Sequence, residues 1–344
     1  MVAFTTLAGV GGIRRSRARV CSESSEKFPG RTSVYPDKDL VVIALGGNAL
    51  LRRGEKLSYE NQRHNARTAA EAIAKVINAG YRVCVTHGNG PQVGFLALMM
   101  PETRLDVLDA QTEGAIGYVV DLELSNTLGS RKQVVTMLTQ VIVNEKDPAF
   151  ENPTKFIGPQ YSEEQVEELR GRGYALKKDG GHWRRVVPSP RPVHIVESEA
   201  IRVLLENDVT VVCTGGGGIP VVVKDDQRHG VDAVVDKDIA SRVLAGQIGA
   251  KYLLLLTDAD GVYRPDEFAK EGSKPIGKVS ADDLLDQLDS FPDGSMRPKV
   301  LAAIQFAHMI LGGVCGVGRL SDALEILQGT RGTIVEATDA QGFI

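Results

Sequence analysis

The chain has 344 residues, 42% of them hydrophobic and 5% aromatic, with a formal charge of −4. That length suits one large α/β domain or two smaller ones, and an acidic balance without a basic stripe excludes a general nucleic-acid binder. No apolar run approaches the roughly 20 residues that cross a bilayer, so the expectation is a soluble protein without a membrane partner.

Residues 1–22 carry Arg14, Arg15, Arg17 and Arg19, several Ser and Thr, and no acidic residue before Glu23. This is the composition of an organelle transit peptide, without the apolar core of a secretory signal. A disordered tail with no address, in a cytoplasmic protein, is the other reading of residues 1–38. The folded domain is expected to occupy 39–344. An apolar strand over 41–45 runs into Gly46-Gly47-Asn48, and a helix over about 60–79 buries Ala66, Ala69, Ala70, Ile73, Val76 and Ile77 on one face, with Gly80 at its end. A strand over 82–86 runs into His87-Gly88-Asn89-Gly90-Pro91. Helical spacing over 105–128 and a strand over 134–139 follow.

Residues 144–192 break the rhythm. They are polar and rich in Pro, Gly and charge, with a short acidic helix around Ser162–Arg170, and read as a protruding lid that covers substrate. Trp183, inside it, reads as packing. A helix near 195–206 and a strand over 209–213 lead to the tetrad Gly215-Gly216-Gly217-Gly218. Val221–Lys224 follows, and Val235-Asp236-Lys237-Asp238 opens a helix that reaches about Leu244. A strand over 252–257 enters Asp258-Ala259-Asp260-Gly261-Val262-Tyr263. Helices near 281–288, 300–310 and 321–328 and a final strand near 333–335 complete the chain. Continuous apolar strands separated by helices predict an α/β fold whose parallel sheet is covered on both faces.

Three apolar runs end in glycine-rich turns, and ligands of open α/β sheets gather at the carboxyl ends of strands, so the turns predict one anion site. There is no Gly-x-x-x-x-Gly-Lys-Ser/Thr loop and no protein-kinase motif set. The spacing Gly88-x-Gly90-x-x-x-Gly94 also fails the dinucleotide fingerprint. Glycine-cradled anions and isolated lysines remain, which is equipment for phosphoryl transfer by positioning and charge neutralisation. Lys237, between Asp236 and Asp238, is either part of a solvated cluster or reaches the transferring phosphate while a neighbouring aspartate orients it or coordinates magnesium. Lys299 has the same two readings. His87 in its turn reads as a packing or hydrogen-bonding residue before a general base. His182, His194, His229 and His308 show no metal-ligand spacing. Cys21, Cys84, Cys213 and Cys315 form no Cys-x-x-Cys pair, which argues against structural zinc and a disulfide framework; Cys84 and Cys213 read as small buried residues.

Several stretches together resemble carbamate kinase: Ala44-Leu45-Gly46-Gly47-Asn48-Ala49-Leu50, Thr86 to Gly94, Asn152-Pro153-Thr154-Lys155, Val187-Pro188-Ser189-Pro190-Arg191-Pro192, Gly215 to Pro220, Val235 to Asp238, and Gly294-Ser295-Met296 with Pro298-Lys299. They stand in the family's order over about 40–336. The first two and the Asp-Lys-Asp are shared with the wider amino-acid kinase superfamily, whereas the Asn-Pro-Thr-Lys and Pro-Ser-Pro-Arg-Pro pieces within 144–192 are much more specific to carbamate kinase. The resemblance implies a three-layer α/β/α sandwich around a mainly parallel sheet, a small protruding subdomain and a homodimer. It also implies the reversible reaction of ATP with carbamate, with magnesium, in arginine catabolism. By the same resemblance Gly46, Gly47, Asn48, Gly88, Asn89 and Gly90 hold the carbamoyl and phosphoryl groups, and Lys155 reaches in from the lid. Lys237 and Lys299 neutralise the transferred group, and Asp236 and Asp238 order those lysines or the metal. Gly215, Gly216, Gly217 and Gly218 supply backbone contacts, and Asp258, Tyr263, Lys274 and Pro275 lie on the nucleotide side.

One departure is Arg297, where the family usually has glycine. It is expected to point outward. Were it to block nucleotide, the chain would be a nucleotide-binding regulator without transfer, and a superfamily kinase for another acceptor is the third reading.

Overall fold

In chain order the strands are β1 (Leu40–Leu45), β2 (Arg82–His87), β3 (Val134–Thr136), β4 (Gln140–Val143), β5 (Lys155–Tyr161), β6 (Leu176–Asp179), β7 (His182–Val187), β8 (Pro192–Ile195), β9 (Thr210–Val212), β10 (Ile219–Lys224), β11 (Gln227–Gly230), β12 (Tyr252–Thr257), β13 (Lys278–Ser280), β14 (Val314–Arg319) and β15 (Thr333–Glu336). The helices are α1 (Tyr59–Asn78), α2 (Gly90–Met99), α3 (Leu105–Leu128), α4 (Val166–Gly171), α5 (Ser198–Glu206), α6 (Lys237–Gln247), α7 (Ala281–Leu285), α8 (Met296–Met309) and α9 (Ala323–Leu327). This computed structural model describes residues 38–337 apart from 53, 266–269, 271 and 292–295, and gives the backbone alone for Asn48 and Arg131. The expected tail, Lys38 excepted, and Gly294-Ser295 lie outside the described residues.

Eight strands form the central sheet in the order β13-β15-β14-β12-β1-β2-β9-β3. Every neighbouring pair is parallel except β14 and β15. Each residue of β1 is buried, as expected for a strand covered on both faces. One apolar layer packs α5, α6, α7 and α8 against one face through residues such as Ile201, Leu244, Leu284 and Phe306. The other packs α1, α3 and α9 through Ile73, Val120 and Ile326. A fully buried Ile or Leu contributes about 1.5–3 kcal/mol relative to exposure, so these two layers hold the sandwich together. The helix ends are set locally. The Ser58 hydroxyl accepts the Asn61 N–H at 3.2 Å to start α1, and Gly80, at φ +99°, follows its end.

Several boundaries differ from the sequence expectations. The strand expected over 134–139 joins the central sheet but stops at 136; 137–139 belong to no strand, and β4, from 140, begins a second, four-stranded sheet ordered β11-β10-β4-β8. Residues 192–195 form β8 of that sheet, so α5 starts later than expected. Within the polar stretch a separate antiparallel sheet, β5-β7-β6, spans 155–187 and carries α4 over a small core of Tyr161, Val166, Leu169 and Leu176. Trp183 packs beside that core, as read from the sequence. The strand β14 was not anticipated. Its glycines hide it, because Gly316 and Gly318 make room for Ile326 of α9. A Cβ at Gly316 would stand 2.3 Å from the Ile326 side chain, so the apolar bulk sits on the helix instead of the strand.

Candidate active site

The carboxyl ends of β1, β2 and β9 and the amino ends of α6 and α8 meet at a cleft of about 200 Å³. Gly47, Gly88, Asn89, Gly90, Gly216, Asp236, Lys237, Asp238 and Lys299 line it, with Lys155 and Phe156 entering from β5. Asp236 is the N-cap of α6: its Oδ1 accepts the backbone N–H of Asp238 at 3.0 Å and of Ile239 at 3.4 Å, and its Oδ2 accepts Lys155 Nζ at 2.6 Å. One helix start therefore ties the separate sheet to the main body. Asp238 grips two further lysines, accepting Lys237 Nζ at 2.5 Å on Oδ1 and Lys299 Nζ at 3.0 Å on Oδ2. A lysine at a helix start faces the positive end of the helix dipole, and here Asp238 and Asp236 balance it.

Burial would raise the Asp238 carboxyl, but Lys237 and Lys299 hold it well below the usual carboxylate range. Asp236 is likewise lowered, Lys155 overcoming the effect of burial. Burial, with Lys299 adding repulsion, pulls the Lys237 ammonium down, whereas Asp236 overcomes burial at Lys155 and keeps its ammonium firmly charged. Three ammonium groups thus face the cleft against two carboxylates, a setting that attracts a polyanion.

The glycines act by close approach. A Cβ on Gly46 would lie 2.9 Å from the Leu256 carbonyl, to which its N–H donates at 3.1 Å, and Gly46 is not among the residues lining the cleft. All four glycines of the tetrad are buried, and among them Gly216 lines the cleft. Gly216 (φ +70°) has room for no side chain: a Cβ would stand 2.3 Å from the Asn89 amide nitrogen. Gly215 presses on His87, Gly217 on Val235 and Gly218 on Thr139 and Val141. The tetrad is therefore a backbone hub that spaces the other turns.

His87 is fully buried outside the cleft lining, and burial pushes its imidazole down to about 4. It is neutral in the folded protein. Cys84 of β2 and Cys213, just after β9, lie 3.5 Å apart, buried as read from the sequence. Arg297 donates to Asp289 at 2.6 Å and does not line the cleft. Of the residues assigned to the nucleotide side, Asp258 borders a neighbouring recess with Thr257 and Arg319, and the Tyr263 hydroxyl donates to Asp260 at 2.6 Å. Lys274 is exposed, and Pro275 packs on Gly261. None of these four lines the lysine cleft.

Sequence reading missed the residues behind the cleft. Asp109, Thr112 and Glu113 of α3 are buried, and they hydrogen-bond to Asn89, Gly215 and Thr139. Their signal was acidic residues at apolar-face spacing, three to four apart and in phase with Ile116 and Val120. Among the described residues no three His, Cys, Asp or Glu side chains converge as a metal site. Asp236 is engaged by Lys155 and the backbone, and Asp238 by Lys237 and Lys299.

Glycine turns and clustered lysines at the strand ends of a mainly parallel sandwich define a phosphotransferase of one kind. A sequence model described as the amino acid kinase family matches residues 39–314. Within that family the chain belongs to the carbamate kinases. It is 45% identical to the carbamate kinase of Pyrococcus furiosus, over 86% of this chain and 98% of that one, and 46% identical to that of Rhizobium meliloti, over 87% and 93%. The solved carbamate kinase of Giardia lamblia bound to citric acid superposes with a TM-score of 0.82 at 39% identity, covering 88% of this chain and 99% of that chain. A UMP kinase from Bacillus anthracis, 16% identical with a TM-score of 0.51 over 87% of this chain and 96% of that one, shares the fold alone.

Proposed function

We propose that the protein transfers a phosphoryl group reversibly between ATP and carbamate: ADP and carbamoyl phosphate give ATP and carbamate, which decomposes to ammonia and carbon dioxide. The observation that carries this reading is one carboxylate, Asp238, presenting two lysines to a cleft walled by glycine turns. A carbamate oxygen is already anionic, so no general base is needed, and His87, in the turn after β2, is buried and neutral. Two like-charged reactants must be brought together instead, which ammonium groups and fixed backbone N–H donors do. The bond between the terminal phosphorus and its bridging oxygen breaks, the pair leaving on ADP, as the carbamate oxygen bonds to phosphorus. Lys237 and Lys299 face the charge on the transferred group, and Lys155 adds a third cation from β5.

ATP and ADP are the nucleotide substrates of this reading, with the purine end beyond the tip of β12, toward Asp258, Tyr263, Lys274 and Pro275. Magnesium is assigned to the nucleotide phosphates, because both cleft carboxylates are already engaged; no step here is routed through it. Arg297 donates to Asp289 and does not line the cleft, which supports the active reading over a regulator without transfer.

The test is to supply ADP, magnesium and carbamoyl phosphate and follow ATP. The wild type is expected to form ATP, and Lys237→Ala to lower turnover at least about tenfold with an unchanged fold by circular dichroism. No ATP above a buffer control would sink the reading. The composition of residues 1–22 supports delivery to an organelle, tested by fusing 1–38 to a fluorescent reporter; a diffuse signal would remove that proposal. Among the described residues no helix is long and apolar enough to cross a membrane.

A further inference from the structure

Helix α3 contributes no residue to the lining of the cleft, yet one of its faces holds two of the turns that do. Glu113 Oε1 accepts the Gly215 N–H at 2.9 Å and the Thr139 hydroxyl at 2.7 Å, and its Oε2 accepts the Thr139 N–H at 3.2 Å. Thr139 Oγ1 in turn accepts the Thr214 N–H at 2.8 Å. This pair fixes the backbone where Thr214, a β-branched residue, is held at φ +54°, a conformation that needs support from its surroundings. One turn earlier on α3, Asp109 Oδ1 and Thr112 Oγ1 accept the Asn89 amide at 2.8 and 2.9 Å. The Asn89 amide lies directly against Gly216. The turns after β2 and β9 are therefore hung on one rigid helix and wedged against each other.

We propose that Glu113 is a positioning residue for phosphoryl transfer: it fixes the Thr214–Gly216 turn, and through Gly216 and Asn89 it sets the spacing of the anion-binding backbone in the cleft. This rests on the phosphoryl-transfer reading above. Stability alone does not explain the residue. Among the described residues no Lys or Arg forms an ion pair with it, and a buried carboxylate without a cation costs more than an apolar side chain of similar shape. What it supplies is three accepted hydrogen bonds at fixed angles, which a neutral isostere cannot reproduce, since Gln would turn an N–H toward either Gly215 or Thr139. A displacement below 1 Å at such a turn is enough to slow transfer.

Burial pushes the Glu113 carboxyl up to about 8 against the pull of Thr139 and Gly215. The titratable groups around it are Asp109 on its own helix, His87 on β2, Cys213 after β9, and Glu197 before α5. Below about pH 8 the protonated form surrenders one acceptor, so the ionised form is the one that holds the turn.

The experiment compares full-length wild type with Glu113→Gln in ATP formation from about pH 6 to about pH 9.5, alongside thermal melting and hydrogen exchange at Thr214 and Gly215. Expected are a kcat lower by about tenfold or more, a KM for ADP within about twofold, and a melting temperature no lower than wild type. A rise in wild-type kcat across about pH 8 should vanish in the variant, and the two amides should exchange faster. A kcat within twofold of wild type would overturn the proposal, as would losses in kcat and KM that merely track a lower melting temperature. Should the wild type form no ATP, the phosphoryl-transfer reading falls by itself; unchanged exchange at Thr214 and Gly215 would then still overturn the role given to Glu113, and faster exchange would support it.

Discussion

At the scale of single residues, burial governs the charge of the groups behind the cleft that lack an ion-pair partner, whereas the lysines and aspartates of the cleft hold one another charged. His87 shows the consequence for stability. Burial is the largest influence on its imidazole and takes it from 6.5 to about 4, although the Gly88 carbonyl favours the proton. The unfolded chain takes up a proton as the pH falls through 6.5 while the folded chain resists until about 4. The contribution of neutral His87 is therefore full above pH 6.5 and is lost on acidification toward pH 4, by as much as about 3 kcal/mol. Glu113 acts in the opposite sense: its folded carboxyl titrates near 8 instead of 4.5, so its cost appears as the pH rises from 4.5 to 8. The two slopes separate by substitution. Between pH 6.5 and pH 4.5 the urea midpoint of wild type should fall relative to that of His87→Gln. Parallel curves would show that His87 is not the source of the slope.

At the scale of elements, the position of the separate sheet is set by a contact between two glycines. A Cβ on Gly94 of α2 would stand 2.0 Å from the Gly158 backbone nitrogen of β5, and Gly158 itself needs φ +70°. Three residues before Gly158 is Lys155, which meets Asp236. Gly94→Ala must push β5 off α2, so we expect a stability loss of about 1–3 kcal/mol and a fall in kcat/KM of about tenfold as Lys155 is withdrawn. A melting curve and turnover unchanged from wild type would show that the contact does not set the lysine. The limits of sequence reading lie in contacts of this kind. The glycine turns and Asp-Lys-Asp were readable because local backbone chemistry names them. The elements β1, β2, α1, α3 and β12 were readable from apolar period. Gly94 entered as the end of a failed dinucleotide spacing and of the Thr86–Gly94 stretch, with no structural role attached to it. A lone glycine inside a helix gives no hint of its partner, and α2 itself, opening Gly-Pro, has too little polar contrast to show a face. For β14 the apolar signal sits on α9, and for α3 the acids that hold the cleft interrupt the stripe that marks its buried side.

At the scale of the whole molecule, the chain leaves apolar surface on the outer side of α3. Val107 and Tyr118 are 45% and 57% exposed, and Leu138, 52% exposed, lies over Gly114 between them. A stripe of this kind is suited to cover by a second copy, and we propose a homodimer through it. Light scattering should give twice the mass of one chain, and Tyr118→Glu with Leu138→Glu should halve it; a wild type already at single-chain mass would remove the proposal. Since α3 also anchors the turns after β2 and β9, such a contact would stiffen both cleft walls from behind. The grip of Asp238 on Lys237 and Lys299 has a consequence for a reaction that runs both ways. On the proposed reading, an incoming phosphoryl group would meet lysines already paired with a carboxylate, and would have to displace Asp238 to reach them. Arrival and release would then be a swap of one counter-ion for another, so the lysines would not be left as unpaired buried cations when the phosphoryl group departs.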